Sequence, residues 1–280
     1  MLVPEALVMA FADAVEPLVD TVTLLPGDLA WRVEAFSAGA DDPRPRLVAA
    51  VALTAASLGV AEPPLAFEAV AARDWLAENR RAFPPIAIGR FFVHGSHFTG
   101  RVPAGRRGIL MDAATAFGSG EHPSTQGCLR AISSLARARR WRRVLDVGCG
   151  SGILMIAAAK LRPCRGLGVD IDPQSAVTAL ANARLNGVGR RLSAIAGNGY
   201  ADRRVRVGRP YDLILANILA RPLCRLSRDL GRALAPGGVA VLSGLLERQA
   251  AQVVAAHRRQ GLRLAGRVRI GEWTTLILRG

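Results

Sequence analysis

The stretch Val144-Leu145-Asp146-Val147-Gly148-Cys149-Gly150-Ser151-Gly152 constrains this chain more than any other. A short apolar strand carrying one acid runs into three glycines at alternate positions, then into a helix reading from Gly152 to Leu161. Glycine is needed where the backbone turns sharply and a ligand must lie against it. A strand, glycine turn and helix in that order place the ligand at the strand's carboxyl end, against the positive end of a helix. Spacing separates the nucleotide-binding classes that share this topology. The phosphate-cradling pattern G-x-x-x-x-G-K-[ST] is absent. A dinucleotide site has G-x-G-x-x-G, whereas Ile153 stands here where the third glycine would fall. The loop reads as one not built around a phosphate.

The surrounding pattern supplies the sheet such a loop needs. Strands are expected at Arg143–Val147, Gly166–Val169, Leu192–Ala196, Tyr211–Ala216 and Gly238–Ser243. Helices are expected between and after them, at Gly152–Leu161, Pro173–Asn186, Arg221–Leu234 and Glu247–Arg259. That alternation specifies an α/β fold, a Rossmann-like parallel sheet with helices on both faces. Leu262–Ile270 and Trp273–Leu278, joined tightly at Gly271, read as a C-terminal antiparallel hairpin on the sheet edge. Residues 1–85 read as a small α+β domain, with strands at Trp31–Phe36 and Leu65–Val70, a helix at Arg46–Leu58 and a short helix from Asp74 through Trp75 and Glu78. Residues 86–109, rich in Pro and Gly, read as a linker holding one strand at Arg90–Val93, and 110–280 as the main domain.

Of the 280 residues 50% are hydrophobic, enough to bury a core, yet no run approaches the roughly 18 apolar residues of a membrane span. The longest, Leu47–Val60, reads as a buried helix. No basic leader precedes an apolar run at the N-terminus, so a soluble cytoplasmic protein is expected. Cys128, Cys149, Cys164 and Cys224 are scattered, and His94 and His97 lack an acidic or cysteine partner at ligand spacing. Hydrogen-bonded loop histidines and no metal are the expectation.

The formal charge is +15 and Lys160 is the only lysine. Clusters such as Arg137, Arg139, Arg140, Arg142 and Arg143 have the chemistry to meet phosphates. An arginine-rich coding bias gives the same composition, and the clusters are scattered without interleaved aromatics. Direct nucleic-acid binding is not required by this reading.

Asp170 follows Gly148 by 22 residues, at the end of the second strand, where a carboxylate accepts ribose hydroxyls. The neighbouring Asp172 precedes Pro173 and reads more simply as a helix N-cap. Asn198, past the third strand, is placed for adenine or is simply a turn residue.

The G-x-G-x-G spacing with Asp146 two residues ahead resembles the first motif of class I methyltransferases, in which the acid and loop amides hold the amino-acid part of S-adenosylmethionine. Two further segments, Ala116-Phe117-Gly118-Ser119-Gly120-Glu121-His122-Pro123-Ser124-Thr125 and Leu215-Ala216-Asn217-Ile218-Leu219-Ala220, narrow the class. With Asp170-Ile171-Asp172-Pro173 they resemble, over about residues 110–280, the bacterial ribosomal protein L-eleven methyltransferase family. Its usual pattern is A-F-G-T-G-x-H-P-T-T, D-x-G-C-G-S-G, D-I-D-P and A-N-I-L. Ser119, Glu121 and Ser124 depart from it, and Phe91–His97 lacks the tryptophan often found there.

The resemblance implies a ferredoxin-like N-terminal domain that recognises the ribosomal protein, here residues 1–85. It implies S-adenosylmethionine as methyl donor, held by Thr125, Asp146, Gly148, Gly150, Asp170 and Asn217, under a mobile Phe117–Gly120 loop. Thr125, at a helix start, reads equally as a simple cap. The acceptors implied are lysine side chains and the N-terminal α-amine of a large-subunit ribosomal protein. Asn217 is the implied catalytic residue, orienting the amine. No Pro-Pro-aromatic follows it to stack a planar base or amide, which favours an aliphatic amine. A lysine of ordinary pKa near 10.4 must lose a proton at a cost of about 4.6 kcal/mol at pH 7. Desolvation and orientation in a dry pocket supply that without a dedicated base. Rival readings are a lysine methyltransferase of the electron-transfer flavoprotein β subunit, an RNA methyltransferase and a non-catalytic nucleoside-binding module.

Overall fold

The structure, a computed structural model, describes residues 1–27, 30–37, 42–68, 84–111 and 120–280. The chain forms two compact units, Met1–Arg73 and Asp74–Gly280.

The first unit runs β1 (Leu2–Val3), α1 (Val8–Val15), β2 (Thr21–Leu25), β3 (Trp31–Phe36) and α2 (Arg44–Leu58). Its antiparallel sheet has the order β1-β3-β2. A βαββα chain with the third strand central is the ferredoxin-like arrangement without its final strand. Val8, Phe11, Ala12 and Val15 are buried along one face of α1, and Val8, Phe11 and Val15 share a core with Leu47, Val51 and Ala55 of α2. The 47–60 stretch expected to be a buried helix is thus helical but buried along one stripe, and Leu53 is 72% exposed. Gly59, at φ +66°, ends it with a left-handed cap whose N–H donates to the Ala55 and Ala56 carbonyls. The strand expected at Leu65–Val70 is not formed over 65–68, where Leu65 packs on the core instead. Residues 69 and 70 and the helix expected from Asp74 to Glu78 lie outside the described residues.

In the second unit, β4 (Ile86–Ile88), β5 (Phe91–His94) and β6 (Arg107–Leu110) make a small mixed sheet. Ile88, Phe91, Val93, Ile109 and Met111 are each no more than 1% exposed and join a core shared with the main sheet. The segment expected to be a linker with one strand therefore carries three, packed within the unit. Apart from Gly108 in β6, its Pro and Gly residues lie between the strands, and they obscure the alternation of Phe91 with Val93 and Ile109 with Met111.

The main sheet begins after α3 (Pro123–Ala138) with β7 (Arg143–Val147), α4 (Ile153–Leu161), β8 (Arg165–Asp170), α5 (Pro173–Leu185) and β9 (Leu192–Ala196). It continues through α6 (Arg203–Val207), β10 (Tyr211–Asn217), α7 (Ala220–Arg225), α8 (Ser227–Ala233), β11 (Leu234–Leu246) and α9 (Ala250–Arg258) to β12 (Arg263–Ile270) and β13 (Trp273–Arg279). The order is β9-β8-β7-β10-β11-β13-β12. Pairing is parallel from β9 to β11 and antiparallel across the last hairpin. Val144, Leu213, Leu215 and Val241 point to one face, with α3 and α4. Leu145, Val147, Ile214 and Ala216 point to the other, with α7, α8 and α9. Both faces are covered, which is why these strands read as continuous apolar runs. The single helix expected at 221–234 is divided at Leu226, whose ψ of 0° leaves the helical turn. Because β8 and β10 flank β7 on opposite sides, the chain reverses direction there and opens a crevice at the carboxyl ends of the strands.

Candidate active site

The glycine loop closes that crevice from below. Gly148 has φ +69°, and a Cβ there would lie 2.5 Å from Cγ2 of Ile218. The Gly148 and Cys149 amides donate to the Val169 carbonyl at 2.8 and 3.2 Å. The Gly150 amide donates to Oδ2 of Asp170 at 2.9 Å, and Oδ1 of Asp170 accepts the Asp172 amide at 3.1 Å. Asp170 therefore joins the loops after β7 and β8 while each oxygen retains accepting capacity. Asp172 caps α5, accepting from the Gln174 and Ser175 amides and the Ser175 hydroxyl. Those bonds, the Ser175 hydroxyl first, hold its carboxyl below the usual range. Asn198 is exposed just beyond β9.

Asp146 lies at the heart of the loop and is 1% exposed. Its Oδ2 accepts the Met155 amide at 3.1 Å, while Oδ1 is buried without a partner. Burial drives this carboxyl well above the usual carboxylate range; the Met155 N–H opposes the shift and the charge of Asp170 adds to it. A buried carboxylate oxygen with no donor is costly, and a cationic group entering the crevice is the natural partner.

Across the crevice, Asn217 ends β10 and Thr125 lies in the first turn of α3 with no exposed surface. The Asn217 Nδ2 donates to Thr125 Oγ1 at 3.2 Å. The amide is thereby oriented, and Asn217 Oδ1 is left buried with no partner. Two orphaned acceptors, on Asp146 and Asn217, thus belong to residues that end or nearly end neighbouring strands. Phe117–Ser119, expected to form a mobile cover, lie outside the described residues; Gly120 is buried, with φ +97°.

Other residues complete the walls. Ser243 is the lateral partner of Asn217 and has no exposed surface. Its hydroxyl is 2.8 Å from Thr275 Oγ1 and donates to the Ser124 carbonyl at 3.1 Å. Ile218 reaches Gly148 on one side and Gly244 on the other, where a Cβ at φ +83° would meet the Ile218 backbone at 2.6 Å. The His122 ring meets Trp273 edge-on with centroids 4.4 Å apart, and its Nδ1 accepts from the Ser124 amide. Ile171 and Leu219, next to the two strand ends, are 81% and 69% exposed. The sequence held one unused signal for this group: Ser243 is a polar residue ending the apolar run Val239-Ala240-Val241-Leu242. Trp273 and Ile218 gave no such signal, because their positions depend on the hairpin and on close packing. His94, expected in a loop, is instead the last residue of β5; it bonds the Gly95 carbonyl through Nδ1, and its ring packs at a tilt against Phe92 and Phe98. Among the described residues no group of three or more His, Cys, Asp or Glu could hold a metal ion, and no helix is long and apolar enough to cross a membrane.

The family model described as "Ribosomal protein L11 methyltransferase (PrmA)" matches residues 13–280. The chain belongs to the ribosomal protein L11 methyltransferase family. The family match reaches well into the first unit, further than the motif resemblance over 110–280. A ribosomal protein L11 methyltransferase of Rhodopseudomonas palustris (strain BisB5) is 43% identical, covering 84% of this chain and 80% of that protein. One of Caulobacter sp. (strain K31) is also 43% identical, covering 75% and 73%. Among solved structures, the ribosomal protein L11 methylase of Lactobacillus delbrueckii subsp. bulgaricus is similar at a TM-score of 0.61 and 29% identity, covering 70% of this chain and 97% of that one.

For a member of the L11 methyltransferase family, the chain is a protein methyltransferase with the class I sheet, as the glycine loop and the strand order indicate. The structure brings Asp146, Gly148, Gly150 and Asp170 into one loop cluster and pairs Thr125 with Asn217 by a direct hydrogen bond.

Proposed function

We propose that this enzyme transfers methyl groups from S-adenosylmethionine to lysine ε-amino groups, the N-terminal α-amine, or both, of large-subunit ribosomal protein L11 in the cytoplasm. The observation that carries the reading is the unpartnered Oδ1 of Asn217, held at the end of β10 by the bond from its own Nδ2 to Thr125. An acceptor fixed in that way suits the N–H of an aliphatic amine. The names of the curated relatives and of the similar solved structure supply the protein substrate.

The chain's own groups fit the methyl donor. The orphaned Asp146 Oδ1 suits a cationic amino-acid portion, Asp170 keeps lone pairs for two ribose hydroxyls, and the bare Gly148–Gly150 backbone admits close approach. S-adenosylmethionine, when bound, supplies a sulfonium-activated methyl group. Asn217 then accepts a hydrogen bond from the acceptor nitrogen and points its lone pair, and the walls formed by Ile218, Trp273 and His122 limit water. A low-dielectric pocket favours the neutral amine, so proton loss to water suffices without a general base. No metal is needed for this chemistry, and no membrane partner enters it.

The first unit supports the assignment of substrate recognition to residues 1–85. Residues 1–73 carry ten acidic and four basic side chains, net −6, while residues 74–280 carry 33 basic and 12 acidic, net +21. An acidic module suits a basic protein partner by complementary charge. Incubation with labelled S-adenosylmethionine and a cell extract, with the labelled band identified by mass spectrometry, tests the whole reading. Methylated amines on ribosomal protein L11 are expected. Label confined to the electron-transfer flavoprotein β subunit, or to material lost on ribonuclease treatment, would establish one of the rivals instead.

A further inference from the structure

The excess positive charge of the second unit is not spread evenly. In a doubly wound sheet the strands start, and the helices end, at the face opposite the active site. Here β7 begins at Arg143 after Arg142, β8 begins at Arg165, and β9 follows Arg190 and Arg191. Arg143 and Arg165 are lateral partners; Gly166 partners Leu192, which sets Arg191 beside Arg165. Adjacent strands lie about 4.8 Å apart, so Arg143, Arg165 and Arg191 form one exposed row across three strand starts. Arg140 follows the end of α3 at the same face.

Like charges placed side by side destabilise a sheet, and none of these arginines is in an ion pair among the described residues; Arg143 Nη1 donates only to the neutral carbonyls of Gly208 and Arg209. Asp212, at the start of β10, lies next to the row, but its Oδ2 accepts the Arg142 and Arg143 amides. Asp146, Asp170, Asp172, Asp202, Glu247 and Glu272 all lie at the far, carboxyl end of the sheet. A coding preference for arginine over lysine leaves charge unchanged, so it does not explain this polarisation.

We infer that the amino-end face of the second unit is a binding surface for the phosphate backbone of RNA. Guanidinium groups match phosphate oxygens two at a time. The neighbouring Trp141 and Cys164 are buried, so the row offers no aromatic anchor such as the core of a protein interface uses. The site at the opposite end stays open to its protein substrate while RNA is bound.

Fluorescence anisotropy with a labelled 30-nucleotide RNA hairpin, over a series of salt concentrations, tests this. The logarithm of the full chain's binding constant should fall linearly with log salt. The triple variant Arg143→Ala, Arg165→Ala and Arg191→Ala should lower that slope by about 2 and weaken binding at least tenfold at about 100 mM salt, since each phosphate contact contributes roughly 0.7–0.9 to the slope. Methyl transfer to isolated ribosomal protein should stay within about twofold, because none of these residues approaches the crevice. Should the triple variant fold poorly, Arg165→Ala and Arg191→Ala singly should each lower the slope by about 1. Unaltered RNA binding in the variants overturns the inference. So does polyaspartate binding as tightly as RNA with equal salt dependence, which would mark an acidic-protein surface.

Discussion

Ser243 stands beside Asn217 across the β10–β11 ladder, and its hydroxyl donates to the carbonyl of Ser124, the residue before Thr125. One buried hydroxyl thus fixes the first turn of α3 against β11, beside the strand whose last residue faces the crevice. Ser243→Ala leaves the Ser124 carbonyl and Thr275 hydroxyl each short of a partner and should cost about 1–3 kcal/mol of stability. Thermal unfolding measures that loss. Turnover should fall more than apparent cofactor affinity, since the pair being loosened is Thr125 with Asn217.

Asn217→Ala removes the orphaned acceptor without touching the glycine loop. Cofactor affinity by calorimetry should change only a few-fold, while kcat drops on the order of a hundredfold, as when one preorganised group is lost. Unchanged turnover would falsify the role given to this residue.

Asp146 allows a test by pH. Its carboxyl is raised in the folded protein, so the folded state holds that proton more tightly than the unfolded state. Stability must therefore decline as pH rises from the unfolded carboxylate value near 4 toward the folded one, by about 1.4 kcal/mol per pH step of one across that interval. Asp146→Asn removes this penalty. The ligand-free variant should melt higher than the parent at pH 8, with the gap closing toward pH 4, yet bind S-adenosylmethionine poorly. A gap independent of pH would contradict the assignment.

Asp170→Ala deprives the Gly150 and Asp172 amides of their acceptor. Cofactor affinity should drop by at least about tenfold, from loss of the ribose contacts and loosening of both loops, since hydrogen bonds to a charged group contribute roughly 1.5–3 kcal/mol each. Isothermal titration checks it, with Asp172→Ala as the comparison, where only the cap of α5 is lost.

Gly148→Ala carries two separable penalties: a left-handed backbone at φ +69° and a clash with Ile218 Cγ2. Together these should destabilise by about 2–4 kcal/mol. Pairing it with Ile218→Ala should recover only the steric share, visible as a partial return of the melting temperature in a double-mutant cycle.

The sheet and its crevice were legible because β7, β8 and β10 are apolar runs that end at Asp146–Gly148, Asp170 and Asn217. Side-chain type and spacing there report directly on which atoms face a ligand. The division at Leu226 was not legible, since a single backbone dihedral ends a helix whose sequence continues to favour it. Nor were β4 and β6, because strands of three and four residues have too few repeats to show alternation. In the site itself, Asp146, Thr125 and Asn217 were visible as motif residues, but their orphaned oxygens were not. Those depend on which neighbours Met155 and Thr125 happen to satisfy. Ser243 and Trp273 come from β11 and β13, far along the chain, and no local pattern connects them to α3.

The hairpin of β12 and β13 docks on β11 through β13, so that β12 forms the rim on that side, opposite β9. Before docking, the apolar stretch Val239-Ala240-Val241-Leu242 presents a bare ladder of amides and carbonyls, the kind of template that recruits other chains. The hairpin is therefore also a guard against aggregation during synthesis. Chains halted before Arg263 should precipitate rather than linger as soluble, inactive fragments.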